Sequence, residues 1–75
     1  MNITTTPTLV VPKEIGNSDL QNTGTDIIYI NSTAETCTSA LGLVLNPGDA
    51  WFGQGPVYAC TASGTGTLAV MLPSN

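Results

Sequence analysis

The chain has no histidine and no arginine, and its single lysine is Lys13. Nucleic-acid contacts rest on Lys and Arg, so this inventory excludes a phosphate-binding surface. The acids Glu14, Asp19, Asp26, Glu35 and Asp49 bring the net charge to −4. An anionic lipid surface repels such a chain, and a charged partner is expected to be basic. A Ser or Cys nucleophile lacks its usual histidine base. The acids are scattered through turn-like stretches, which argues against two-carboxylate glycoside chemistry. The expectation is a protein that is not an enzyme and carries no cofactor.

Long apolar runs are missing too. Nothing approaches the roughly 20 apolar residues of a membrane helix. The opening MNITTTPTLVVPKEIG has neither a basic region nor an apolar core of the secretory type, which predicts folding in the cytoplasm. In that setting the N-x-T matches Asn2-Ile-Thr4 and Asn31-Ser-Thr33 are read as chance. The only cysteines are Cys37 and Cys60. Two thiols without histidine do not make a zinc site. They read as small buried hydrophobes in a reducing compartment, with a disulfide as the alternative. Asp26 and Asp49 lack the D-x-D-x-D spacing of a calcium loop. The glycines of GQG (53–55) and GTG (64–66) are followed by no helix and no lysine, so they read as turns rather than a phosphate cradle. No metal site is expected.

Only 8% of the residues are charged, against a typical quarter. Thr, Ser, Asn and Gln supply the polar surface instead. That balance suits a protein largely covered by neighbours. With 75 residues one domain is expected, and a domain of this size hides only roughly 60% of its unfolded surface. Such scaffolds usually need a disulfide, a metal or oligomerisation.

What is present is β-branched and punctuated by turns. MNITTTPT (1–8) reads as an extended N-terminal arm, ahead of a single domain at 9–75. LVVP (9–12) is a short apolar run stopped by Pro12. KEIGNSDLQNTGT (13–25) reads as loop and turn, with 20–22 able to pair as part of a strand. DIIYIN (26–31) is the clearest strand. Its continuous apolar run predicts burial on both faces, or one face in the core and the other against a partner. STAETCTSAL (32–41) reads as irregular. GLVLNPGDAWF (42–52) is strand, turn, strand: Pro47 sets φ at the second turn position and Gly48 accepts the positive φ of a type II turn. GQGP (53–56) is another turn. VYACTA (57–62) and TLAVML (67–72) are strands, expected to form a hairpin through Ser63–Gly66. In the last of them Leu68, Val70 and Leu72 share one face, and Ala69 and Met71 the other. About six short strands with regular turn signals and no helical period predict an all-β fold, a small antiparallel sandwich or barrel.

Large rings are scarce, and the only Trp and Phe are adjacent. On a strand Trp51 and Phe52 point to opposite faces. One is expected to fill the core. The other, with Tyr58, is expected to anchor an interface, or to offer a stacking platform for a glycan. The arm residues Asn2, Ile3, Thr4, Thr5 and Thr6 are expected to reach a neighbouring subunit as an added strand.

Three stretches resemble a known group. NTGTDIIYI (22–30), GLVLNPGDAW (42–51) and GPVYACTASGTGTLAV (55–70) are similar to short all-β virion proteins of tailed bacteriophages. Pro47-Gly48-Asp49 and the run from Tyr58-Ala59 to Ala62-Ser63-Gly64-Thr65 carry the likeness, which spans about residues 20 to 72. Gln21 stands where that group often has a basic residue, and residues 1–19 match nothing in it. The resemblance implies a capsid cement or decoration protein, dimeric or trimeric, bound to the major capsid protein at capsomer junctions. The alternative it implies is a small tail or fibre module.

Overall fold

The computed structural model describes residues 1–13 and 15–72; Glu14 and residues 73–75, the end of the expected domain, lie outside them. The described chain is all β. Its strands are β1 (Asn2–Ile3), β2 (Thr8–Val11), β3 (Asn17–Asn22), β4 (Ile28–Asn31), β5 (Leu43–Leu45), β6 (Ala50–Gln54), β7 (Val57–Thr61) and β8 (Gly66–Met71). They form two four-stranded antiparallel sheets, ordered β1-β8-β3-β6 and β2-β7-β4-β5. Among the described residues no helix is long and apolar enough to cross a membrane.

The pairing has a simple logic. β1 pairs with β8, β2 with β7, β3 with β6 and β4 with β5. The chain is thus one long hairpin with its tip between β4 and β5. The hairpin bends at each turn into the opposite layer, and wrapping it adds the contacts β3–β8 and β4–β7. Eight strands in this order make a two-sheet jelly roll.

This wrapping corrects the expected hairpin at 57–72. β7 and β8 lie in different sheets, so Ser63–Gly66 turns the chain between layers. Gly64 takes φ +72°, which glycine reaches without steric cost. The Thr61 hydroxyl donates to the Gly64 carbonyl at 2.9 Å. The turn at 46–49 forms as expected: Asp49 N–H donates to the Asn46 carbonyl at 2.8 Å and Gly48 sits at φ +91°. It too carries the chain from one sheet to the other, since β5 and β6 do not share a sheet.

The core lies between the sheets. β2, β4, β5 and β7 contribute Val10, Val11, Ile28, Ile30, Leu45, Val57 and Ala59; the other sheet contributes only Ile3, Leu20 and Leu68, with Trp51 and Val70 packed alongside. A bulge between Leu9 and Val11 places two residues opposite one, which lets both Val10 and Val11 point inward.

β3 runs through the stretch read as loop and turn, and its 20–22 end is the part expected to pair. Its inward residues are Ser18, Leu20 and Asn22, all buried, while Asn17, Asp19 and Gln21 face out. Two of the three inward side chains are polar, so the period-two signal of hydrophobicity vanishes. Asn22 is fully buried and fully bonded. Its amide donates to the carbonyls of Asp26 at 2.7 Å and Leu45 at 2.8 Å, and its side-chain oxygen accepts from Gly24 N–H at 3.1 Å. The Leu45 bond ties one sheet to the other.

The N-terminal arm also needs correction. Ile3 has 0% exposure and sits in the core, because β1 is hydrogen-bonded to β8 in its own chain. Leu68 N–H donates to the Met1 carbonyl at 2.9 Å, and Thr61 N–H to the Thr4 carbonyl at 2.9 Å. Residues 1–4 are therefore part of the sandwich. Ile3→Ala should lower stability by about 2–4 kcal/mol, the usual cost of emptying a buried Ile site. Thermal unfolding followed by circular dichroism checks this. A change under about 0.5 kcal/mol, the surface range, would mean that β1 is not part of the core.

Candidate interaction surface

The outer face of the β1-β8-β3-β6 sheet carries the most exposed large side chains. Register fixes their arrangement. Asp19 on β3 stands opposite Phe52 on β6 and opposite Met71 on β8. Side chains in register share one face, so Met71, Asp19 and Phe52 form a row across the sheet. Phe52 is 64% exposed and Met71 70%. The next row along is Ala69, Gln21 and Ala50, by the same pairings. The small alanines leave an open depression of about 350 Å³ bounded by Asp19 and Met71. Large apolar groups around a flat, small-residue floor, with one carboxylate, make a surface suited to a protein partner.

Trp51 faces the other way, as adjacency on a strand requires. It stands opposite Leu20 and packs half-buried against the core. Its indole lies along its own strand: a Cβ at Gly53 would come within 2.7 Å of the ring. The ring also lines a groove of about 430 Å³ at the open edge of the sandwich, between β6 and β5, with Ile30, Leu41, Leu43, Val57 and Gln54. Among the described residues, none that lines this groove carries a charge. Gly53→Ala should push the indole off its seat, red-shifting Trp51 fluorescence as the ring meets water. An unchanged spectrum would show that the ring is held some other way.

The opposite outer face is partly covered by the chain itself, with Leu9 and Val44 left exposed. Tyr58 stands opposite Leu9 and Asn31, and Tyr29 opposite Cys60 and Val44. The irregular segment 32–42 folds back over this face. The Asn31 amide holds it by donating to the Thr36 carbonyl at 3.0 Å and the Leu41 carbonyl at 3.2 Å. The second face of DIIYIN is thus partly covered by the chain's own turns, which leave Tyr29 and Asn31 half-buried and Ile27 exposed. Cys37 in the segment and Cys60 on β7 are both buried and both free thiols. Burial, then the neighbouring Cys60 thiol, push Cys37 up from 9.0 to about 12.

The expected interface residues are thus not one surface. Phe52 and Tyr58 lie on opposite outer faces. Asn2, Thr4, Thr5 and Thr6 are exposed, and Thr4 Oγ1 accepts Thr6 N–H at 3.3 Å. Ile3 points inward. Met71, which shares Phe52's row from across Asp19, is not among the expected residues. The alternation in TLAVML already puts Ala69 and Met71 on one face; the sheet neighbour that brings Phe52 beside them is not readable from the chain. No family model, curated protein or solved structure matches the chain.

Proposed function

We propose that this chain is a virion structural protein of a tailed bacteriophage, a capsid cement or decoration protein that docks through the outer face of the β1-β8-β3-β6 sheet. The row of Met71, Asp19 and Phe52 carries the reading: two large apolar groups held in register around one carboxylate. A complementary patch on the major capsid protein would be apolar with a cation facing Asp19. The likeness of residues 20–72 to short phage virion proteins supports the same reading. Jelly rolls occur in viral capsid proteins and equally in lectins, so the fold alone decides nothing.

The small core agrees with this role. Binding stabilises the folded form by mass action, and many modest contacts around a symmetric shell add up by avidity. On this reading the protein assembles in the bacterial cytoplasm as a dimer or trimer. The exposed turn at Thr4–Thr6 remains available to a neighbour, while β1 does not leave its own sheet.

The groove beside Trp51, uncharged among the described residues, favours a second reading, a tail or fibre module that binds a neutral glycan. Pockets of about 300–1,000 Å³ with mostly apolar walls and a few polar groups suit small ligands. Immunogold labelling of intact particles separates the two. Label spread over the head supports the cement reading; label confined to the tail moves the protein to the second; unlabelled particles overturn both.

A further inference from the structure

We infer that Cys37 and Cys60 are a built-in cross-linking site, and that an oxidant of the disulfide class joins them into an intramolecular staple. Their sulfurs are 3.5 Å apart. Each thiol is also held in place: Cys37 Sγ donates to the Tyr29 carbonyl at 3.3 Å and Cys60 Sγ to the Cys37 carbonyl at 3.1 Å. A disulfide needs the sulfurs at about 2.05 Å, so they must close by about 1.5 Å. β7 is an inner strand of its sheet and cannot shift easily. The segment 32–42 is made of turns and lies on the sheet rather than in it, so it supplies the movement.

The chemistry balances as two exchanges. One cysteine thiolate attacks the oxidant's S–S bond, forming a mixed disulfide and releasing one small thiol. The second cysteine thiolate then attacks the mixed disulfide and releases the other. Two protein S–H bonds are lost and one protein S–S bond forms. Two electrons and two protons end on the two released thiols.

The site is guarded. Both thiols are buried, and a thiol must ionise to attack. The raised Cys37 value slows this further. Reaction therefore waits for the segment held by Asn31 to lift. A reducing compartment leaves the pair as thiols; an oxidising one sets the staple. Nothing in this depends on what the outer faces bind.

The experiment uses the whole chain with oxidised glutathione at mildly alkaline pH. The expected product is a monomer lighter by two hydrogens, resistant to alkylation after denaturation, with one peptide linking 37 to 60. Closing a loop of this length should raise the melting temperature by about 10–20 °C, and dithiothreitol should reverse the shift. The comparison uses the same chain in two redox states, so it needs no variant to fold; Cys60→Ala serves as a second control and should show neither change. Thiols that stay alkylatable, glutathione left attached, cross-links only between chains, or an unchanged or lowered melting temperature would each overturn the inference.

Discussion

Replacing Phe52 and Met71 together by serine is expected, on the cement reading, to weaken binding to the capsid by roughly 1,000-fold, because hot-spot anchors carry about 2 kcal/mol or more each and every 1.4 kcal/mol is tenfold. The folded state should scarcely notice. Both side chains project from the outer face and are largely exposed, and surface substitutions of this kind usually stay within about 0.5 kcal/mol. The variant should therefore melt within a few degrees of the parent while failing to sediment with particles. That combination separates a docking role from a packing role. Binding that survives the double substitution would remove this face from the account. Loss of binding together with a large loss of stability would mean that the two residues support the fold instead.

Asn22→Leu is expected to be the most damaging conservative change. Leucine keeps the branched outline of asparagine, though it is bulkier, and adds apolar surface in a buried site. It nonetheless strips three backbone groups of their partner: the Asp26 and Leu45 carbonyls and the Gly24 N–H. Each unsatisfied buried group costs about 1–3 kcal/mol. Partial access to water at the chain turns reduces the sum, so a loss of about 3 kcal/mol is expected, or a fall of about 15 °C in melting temperature for a domain of this size. Circular dichroism on heating reads it directly. A fall of less than a few degrees would show that the sheets are not tied together through this side chain.

Local chemistry in the sequence reached the turns and several strands. Asn46-Pro47-Gly48-Asp49 specified its turn because proline and glycine fix backbone angles without help from the rest of the fold. DIIYIN and TLAVML declared themselves through β-branched residues and alternation. The opposed facing of Trp51 and Phe52 follows from pleating alone. What escaped was everything set by pairing at a distance. A tight turn suggests a hairpin, yet here both the 46–49 and the 63–66 turns carry the chain to the other sheet. Only the 20–22 end of β3 is legible, because Ser18 and Asn22 replace hydrophobes on its inner face, and only their hydrogen bonds explain how they tolerate burial. Ile3 looked like part of an arm because a two-residue strand has no period to detect. The candidate surface was half visible: Phe52 stood out, but Met71 joins it only through Asp19, its neighbour on both sides.

The central claim is that this protein coats a shell. The most direct measurement is its copy number relative to the major capsid protein, from quantified protein bands of purified intact particles. The account predicts an abundance comparable to that of the major capsid protein, set by the number of capsomer junctions. Absence from particles, or the few copies typical of a tail component, would contradict it.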